Sequence, residues 1–258
     1  KKINTLLAAD ERNRKIIINA VECEPGLKHD EWLLFNRKEE IAAGIGYISN
    51  AIDVSDVTIA VSQKVDWENE EFRICQVPAR FPMGEEHFLI NAVTGVCIDK
   101  ETIPADEGIL VMNLQTVYQI FRLMNNAYDG RHFVTIANMK NGQARVALVS
   151  GKDRVIDTVK KAFNDDDMDY YCGSGVLNSH KAASEDKFTN RISFAAAAPE
   201  LNIGNENKCK GCGICTKKCP SGVYVHKAVK ILEDNKNADI SMYHGENCIQ
   251  CGCCAYFE

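Results

Sequence analysis

Eight of the chain's 12 cysteines lie between residues 209 and 254, and their spacing predicts iron–sulfur chemistry. The first run, 209-CKGCGICTKKCP-220, has the pattern C-x2-C-x2-C-x3-C-P, with its thiols at Cys209, Cys212, Cys215 and Cys219. This is the run with which bacterial ferredoxins bind [4Fe–4S] clusters. Three thiolates on one tight loop cover three corners of a cubane, and Gly211 and Gly213 allow backbone N–H groups to approach the sulfides.

A second run, 248-CIQCGCCAYFE-258, repeats the spacing with one change. Cys248, Cys251 and Cys254 take the first three positions, Cys253 is an extra thiol, and Glu258 stands where the fourth cysteine is expected. In two-cluster ferredoxins the fourth cysteine of each run binds the other cluster. The cluster on the second run is therefore complete with the fourth cysteine of the first run, Cys219.

The cluster on the first run lacks its fourth thiolate in this arrangement. Its fourth iron must bind the Glu258 carboxylate, bind Cys253, be lost, or remain without a protein ligand. We therefore predict two [4Fe–4S] clusters, one robust and one labile. A damaged or truncated C-terminus is the alternative explanation of Glu258.

Zinc is the alternative metal, since two C-x2-C pairs form a zinc ribbon in many proteins. A ribbon needs neither a third cysteine in both halves nor the Cys-Pro pair, so the pattern favours iron–sulfur clusters. The four remaining cysteines are predicted to be small buried hydrophobic residues: Cys23, Cys75, Cys97 and Cys172. The six histidines form no H-x-x-H or similar pair, so each is predicted on the surface or in packing.

The elements before the cysteine runs alternate between strand and helix. Apolar runs predict strands at 15–22, 57–61, 74–78 and 109–113. Helical periodicity predicts helices at 30–51, 85–93 and 114–126, the first with Ile41, Ile45, Ile48 and Ile52 on its buried face. This alternation indicates βαβ units and a mostly parallel sheet.

After residue 130 the pattern changes. Strands at 133–137 and 144–150 form a predicted hairpin, a helix follows over 153–163, and 164–169 is a solvated acidic turn. The apolar stretch 194–198 is predicted as strand or core. We predict three domains: an α/β domain over 1–130, a small α+β module over 131–201 and a cysteine-rich domain over 202–258.

Composition excludes several classes of protein. The 258 residues carry a formal charge of −6, so no surplus of Lys and Arg exists to bind nucleic acid. No apolar run reaches the roughly 18 residues of a membrane helix, so no transmembrane segment is predicted. Thiols clustered at one end of a chain of this size indicate metal in a reducing compartment, which predicts a cytoplasmic protein.

Clusters accept single electrons, so a group that converts two-electron to one-electron transfer is expected upstream. Gly84 precedes a helix, and Asn113 ends a strand and can cap the next helix; such helix N-termini bind nucleotide phosphates. Four acids fall at strand-to-helix turns, where they could accept hydrogen bonds from ribose hydroxyls or ring N–H groups: Glu22, Glu24, Glu85 and Glu86. Solvated surface is the alternative for these acids.

Four motifs in order resemble one family. The segment 19-NAVECEPGLKHD-30 resembles the N-x-x-E-x-E-P-G-x-x-x-D element of the flavin-bearing subunit of respiratory complex I. That family includes the C subunit of the Rnf electron-transport complex and the cobalamin reductase of propanediol utilisation. The further matches are 81-FPMGEEHFLINAVTG-95, 110-LVMNLQT-116 and 248-CIQCGCCAY-256. The resemblance implies an α/β FMN-binding domain, a β-grasp-like module and a ferredoxin-like two-cluster domain.

The resemblance also assigns residues. It implies that five residues contact FMN: Asn19, Gly84, Glu85, Asn113 and Thr116. Glu24 and Glu86 would face the nicotinamide of NADH, and Glu22 would lie beside the flavin. Val21 replaces the Asp of complex I, which favours the Rnf branch. The family's glycine-rich phosphate loop has no counterpart before Lys15, which indicates a piece cut at both ends or a degenerate relative.

The implied function is an oxidoreductase subunit that passes electrons from NADH through FMN to the clusters and on to a partner. The partner would be another subunit of a membrane electron-transport complex, at the cytoplasmic face, or a soluble redox protein. The alternatives are a donor like cobalamin reductase, a non-enzymatic carrier of ferredoxin type with a vestigial flavin fold, and a zinc-stabilised interaction module.

Overall fold

The computed structural model describes residues 3, 6–7, 14–99, 101–164, 168–199 and 209–256. Contacts divide the chain into two compact units, Lys1–Pro199 and Glu200–Glu258. The predicted border near residue 201 falls outside the described residues.

A four-stranded parallel sheet forms the first part of the larger unit. Its strands are β1 (Lys15–Ala20), β2 (Val57–Val61), β3 (Arg73–Gln76) and β4 (Ile109–Asn113). The strand order is β3-β2-β1-β4, and all three pairings are parallel. The central strands β1 and β2 are buried almost throughout, as expected for a sheet covered on both faces. The predicted parallel sheet is confirmed.

Within residues 14–124 as far as the structure describes them, four helices accompany this sheet: α1 (His29–Asn36), α2 (Lys38–Ile52), α3 (Glu86–Thr94) and α4 (Leu114–Met124). The prediction of one helix over 30–51 is wrong, because Arg37 leaves the helical region with φ −138° and ψ 38°. The apolar face predicted for this segment is nevertheless correct, since Ile41, Ile45, Ile48 and Ile52 are all buried.

A five-stranded mixed sheet follows. Its strands are β5 (His132–Asn138), β6 (Gln143–Val149), β7 (Asp169–Gly173), β8 (Ser179–Lys181) and β9 (Phe194–Ala198). The strand order is β6-β5-β9-β7-β8, and only the pairing of β5 with β9 is parallel. Helix α5 (Val155–Phe163) buries Val155 and Val159 in the core of this sheet. The predicted hairpin and the predicted strand at 194–198 are confirmed.

The two sheets meet through an aromatic contact. Phe133 of β5 belongs to the core of the first sheet, with its ring centroid 4.9 Å from that of Trp32 and 5.7 Å from that of Tyr118. The two sheets are therefore parts of one compact unit. A separate module over 131–201 stays a prediction, and so does its β-grasp character.

The smaller unit carries the two cysteine runs. It contains α6 (Ile214–Lys218), α7 (Val225–Asp234), α8 (Cys253–Tyr256) and two short 3-10 turns at Ser241–Tyr243 and Gly245–Asn247. Helices α6 and α8 contact each other. Among the described residues of the whole chain, none of the helices has the length and apolarity needed to cross a membrane.

Candidate functional site

The strand order of the parallel sheet reverses beside β1. Strands β2 and β3 extend from one side of β1, whereas β4 pairs on its other side. Asn19 at the end of β1 and Asn113 at the end of β4 face each other in register. In open α/β sheets, ligands bind outside the carboxyl ends of the strands at such a reversal. Two of the residues predicted to contact FMN therefore lie at this reversal, and their contact with FMN stays a prediction.

Asn19 joins the end of β1 to the loop before α3. Its Nδ2 donates to the Gly84 carbonyl at 2.9 Å, and its Oδ1 accepts from the Val21 N–H at 3.0 Å. A Cβ added at Gly84 would lie 3.0 Å from the carbonyl oxygens of Val21 and Glu22. A side chain here would crowd these carbonyl groups, and the Asn19 amide holds the Gly84 loop against the end of β1.

Two predicted residues cap helices. The Glu85 carboxylate accepts from the N–H groups of His87 and Phe88 at 3.0 and 3.3 Å, so α3 begins one residue after the predicted start. Asn113 Oδ1 accepts from the Gln115 N–H at 2.8 Å, which confirms the predicted cap of α4. Both side chains fix the helix N-termini at the edge of the sheet.

A buried acidic cluster lies at the same edge, formed by Glu22, His29 and Asp30. Glu22 Oε1 accepts from the N–H groups of Asp30 and Glu31 at the start of α1, at 3.0 and 3.1 Å. Asp30 is 1% exposed, and its Oδ2 accepts from Asn113 Nδ2 at 3.0 Å. Glu22 Oε2 and Asp30 Oδ1 are buried without a hydrogen-bond partner.

Burial sets the protonation of this cluster. Burial raises the pKa of Asp30 to about 7, although the hydrogen bond from Asn113 acts to lower it. Burial and the charge of Asp30 raise the pKa of Glu22 to about 7. Burial lowers the pKa of His29, so the imidazole supplies no positive charge at neutral pH. The two carboxyls therefore titrate as a pair near neutrality.

These shifts predict that the larger unit loses stability as pH rises. The folded state holds more protons than the unfolded state between the ordinary carboxyl pKa values and about 7, so the free energy of unfolding falls as pH increases through this window. We expect Asp30→Asn to reduce the loss between pH 5 and pH 8 by about 2–3 kcal/mol.

Urea unfolding followed by tryptophan fluorescence measures this effect, because both tryptophans, Trp32 and Trp67, belong to the larger unit. Glu107→Gln, which alters an exposed carboxyl outside the cluster, serves as the control. Its free energy of unfolding should change with pH as that of the wild type does. Equal pH slopes for the wild type and Asp30→Asn would contradict the assignment.

Glu24 has a different environment from the one that the resemblance implies. It is 8% exposed, and its carboxylate accepts hydrogen bonds from the second sheet's 174–178 loop: Ser174 Oγ at 2.9 Å, Leu177 N at 3.2 Å and Asn178 Nδ2 at 2.7 Å. The side chain therefore fastens this loop to the turn after β1. Its contact with a nicotinamide stays a prediction.

A cavity of about 390 Å³ opens beyond the sheet edge. This volume lies within the range of about 300–1,000 Å³ typical of cofactor sites. Asn113 and Thr116 line it together with residues that the sequence did not single out: Cys23, His29, Gln115, Gln119, Tyr128, Gly130, Arg131, His132, Asn190 and Ser193. Half of these come from the connection to β5 and the loop before β9, which sequence spacing alone could not place beside β4.

Three of the remaining predicted residues lie together, where the end of β1 meets the start of α3: Asn19, Gly84 and Glu85. Glu86 is partly exposed in the first turn of α3. The structure thus brings the predicted residues to one edge of the sheet, with Asn113 and Thr116 at the cavity and Glu24 bound within the protein.

The four cysteines outside the runs only partly match their prediction. Cys172 is buried, as expected, but Cys75 is partly exposed and Cys23 and Cys97 are exposed. The prediction is wrong for Cys23 because the turn after β1 leads it into the cavity rather than into the core.

The two cysteine runs fold into similar loops. In each, the residue two positions after the first cysteine has positive φ and donates its N–H to that sulfur: Gly211 to Cys209 and Gln250 to Cys248, both at 3.4 Å. Gly213 and Gly252 repeat a second positive φ before α6 and α8. This geometry aims backbone N–H groups at sulfur, which tunes cluster potentials.

The fourth cysteine of the first run, Cys219, interacts electrostatically with Cys253 of the second run. Cys253 hydrogen-bonds to Cys251 and interacts electrostatically with Cys254 and Cys219. Cys219 is therefore near the thiols that it is predicted to join. This environment also associates Cys253 with the second run rather than with Cys209, Cys212 and Cys215. Glu258, the predicted substitute ligand, lies outside the described residues.

Two segments of the chain match known families. Residues 2–122 match the Nuo51 FMN-binding domain, and residues 202–257 match the 4Fe-4S dicluster domain. The chain therefore combines a flavin-binding fold with an iron–sulfur domain, which is the composition of an electron-transfer subunit.

The curated relatives show which proteins the chain resembles. The chain is 28% identical to the C subunit of the ion-translocating oxidoreductase complex of Rhodobacter capsulatus over 81% of its own length and 43% of the relative's. It is 23% identical to the C subunit of the proton-translocating ferredoxin:NAD(+) oxidoreductase complex of Clostridium ljungdahlii, over 82% and 49%, and 22% identical to cobalamin reductase PduS of Salmonella typhimurium, over 82% and 52%. The predicted resemblance to the family of the Rnf C subunit is confirmed, and these proteins are homologues of the chain.

The chain spans about half the length of the curated relatives that it matches. Among solved structures, an NAD+-reducing [NiFe]-hydrogenase in the H2-reduced state has a TM-score of 0.66 at 15% identity, over 99% of this chain and 56% of the hydrogenase chain. At this identity the likeness shows a common fold.

Proposed function

We propose that the protein passes electrons from NADH through FMN to two [4Fe–4S] clusters and on to a partner protein. The observation that carries this proposal is the reversal of strand order beside β1. There, Asn19 and Asn113 face each other next to a cavity, in a chain that also carries two cluster-binding runs. The proposal adds three things to electron transfer: NADH as the donor, FMN and the clusters as the route, and a partner protein as the acceptor.

The described residues fit FMN in two respects. Helix α4 presents its N-terminus beside the cavity, and Glu22 Oε2 is a buried acceptor without a partner. We propose that Asn113 and Thr116 bind the cofactor directly, while Asn19 and Glu85 position the loop at Gly84. FMN, when bound, accepts a hydride and releases electrons singly.

The spacing of the cysteines and the similar loops of the two runs support a proposal for the iron–sulfur ligands. We propose that Cys248, Cys251, Cys254 and Cys219 bind one [4Fe–4S] cluster. Cys209, Cys212 and Cys215 would supply three ligands of the other. The N–H groups of Gly211 and Gln250 would donate to the ligating sulfurs and so raise the tendency of each cluster to accept an electron.

The partners are proposed from the homologues. Since the relatives are subunits of ion-translocating complexes, we propose that other subunits of such a complex accept the electrons, at the cytoplasmic face of a membrane. A soluble redox partner is the second candidate, favoured by the match to a cobalamin reductase over 82% of the chain.

The NADH step is tested at Glu86, which is partly exposed in the first turn of α3. We expect Glu86→Ala to slow anaerobic reduction of the FMN-loaded protein by NADH by about 10-fold or more, a loss of about 1.4 kcal/mol in transition-state binding. Reduction of the clusters by dithionite should be unchanged, because dithionite does not need the nicotinamide site.

Glu101→Gln, which alters an exposed carboxyl outside α3, is the control and should keep the NADH rate of the wild type. Glu24→Gln is a less direct test, since this carboxylate also holds the 174–178 loop. Unchanged NADH rates in Glu86→Ala would remove this residue from the site. Absence of flavin after loading would instead favour a carrier that works through its clusters alone.

A further inference from the structure

A second group of metal-ligand residues lies on the mixed sheet, where no cofactor is assigned. Cys172 lies on β7, His180 on the neighbouring β8, and Asp186 in the segment that follows β8. One ligand atom of each lies within 4.8 Å of the others. We propose that Cys172, His180 and Asp186 bind a zinc ion.

The strand register sets two of the ligands. Cys172 and His180 are directly opposite each other in the antiparallel pair β7–β8, so their side chains share one face of the sheet. Cys172 Sγ lies 3.6 Å from His180 Nε2. Zn–S and Zn–N bonds of about 2.3 and 2.1 Å at the tetrahedral angle place the two ligand atoms about 3.6 Å apart. The pair therefore has the spacing of two ligands on one zinc ion.

The backbone around Asp186 holds the third ligand. Asp186 Oδ2 accepts from the Ala183 N–H at 2.8 Å, and the Asp186 N–H donates to the Ala183 carbonyl at 3.1 Å. The Asp186 carbonyl accepts from the Val155 N–H at 2.9 Å, at the start of α5. These bonds fix the carboxylate before any metal binds, as outer hydrogen bonds do in metal sites.

The ligand types select the metal. A thiolate, an imidazole and a carboxylate together suit Zn²⁺, whereas Mg²⁺ and Ca²⁺ prefer oxygen ligands alone. Three protein ligands leave one position of a tetrahedron. Cys172 is buried and His180 is exposed, so the site reaches from the core to the surface and a water molecule can complete it.

The binding step balances with one proton. The Cys172 thiol loses its proton to solvent, the three protein ligands displace water molecules from the hydrated zinc ion, and no electron is transferred. Burial raises the pKa of this thiol, followed by the nearby Asp186 charge, so it is protonated without metal. The site would fasten the edge hairpin β7–β8 to the loop that precedes β9. It uses none of the residues proposed for FMN or for the clusters.

The test measures zinc in the full chain with its iron–sulfur clusters in place, so that the cluster cysteines are occupied. After equilibration with zinc sulfate and gel filtration, elemental analysis should find one zinc per chain in the wild type. His180→Ala and Asp186→Asn should each weaken zinc binding by at least about 100-fold, because loss of an outer-sphere partner alone costs 10–100-fold. X-ray absorption at the zinc edge should show one sulfur among nitrogen and oxygen ligands.

Two matched variants control for nonspecific effects. Glu185→Gln changes the exposed carboxyl beside Asp186, and Cys97→Ser changes an exposed cysteine of the same unit; both should keep one zinc. Full zinc content in His180→Ala and Asp186→Asn, an all-sulfur ligand shell, or no zinc in the wild type would overturn the proposal. In the last case, the 3.6 Å contact is a thiol–imidazole hydrogen bond.

Discussion

Cys219→Ala is expected to lose about half of the protein's iron, because removal of one thiolate ligand opens one of the two proposed cubanes. Cys219 follows α6 and interacts electrostatically with a thiol of the second run. The lost cluster should therefore be the one on Cys248, Cys251 and Cys254. The cluster on the first three cysteines should remain, although Cys219 belongs to the same run in sequence.

Iron analysis of anaerobically purified protein, with electron paramagnetic resonance after dithionite reduction, measures this loss. The matched control is Cys253→Ala, since Cys253 is also partly exposed and lies with the second run. It should keep the iron content of the wild type. If Cys253→Ala instead loses iron and Cys219→Ala does not, then Cys253 is the fourth ligand and the exchange of ligands between runs is wrong.

The features that could be predicted from the sequence are those set by residues close together in the chain or by the order of strands and helices. The cluster loops are local: spacing within about ten residues predicts three ligands of each cluster, and the positive φ values at Gly211 and Gly213 fall at the glycines predicted to let backbone N–H groups approach sulfur. The parallel sheet was also predictable, because buried strands separated by helices have few other arrangements. The alignment of Asn19 with Asn113 follows from that topology.

Features that depend on packing between distant segments were not predictable. The bond from Asn113 to Asp30 joins residues 83 positions apart, and Glu24 binds a loop about 150 positions away. The pairing of His180 with Cys172 was also not predictable, because it depends on the register of β7 with β8. The break at Arg37 was missed because the apolar periodicity continues on both sides of it.

A bulky side chain in the cavity at the sheet edge is expected to block FMN binding. Thr116 is exposed in the first turn of α4 and lines the cavity, so a tryptophan there would occupy space that the cofactor needs without entering the core. We expect Thr116→Trp to weaken FMN binding by at least about 100-fold, equivalent to about 2.7 kcal/mol. Flavin fluorescence after denaturation and FMN titration of flavin-free protein measure this loss.

Leu123→Trp provides the control on the same helix, since Leu123 is 60% exposed and lies outside the cavity. It should bind FMN as the wild type does. Both variants should keep full iron content, because the cysteine runs fold in the other unit. Full flavin content in Thr116→Trp would place FMN elsewhere, whereas loss of flavin in both variants would indicate damage to α4. Loss in Thr116→Trp alone would locate the flavin at the reversal of strand order, where the sheet aligns Asn19 with Asn113.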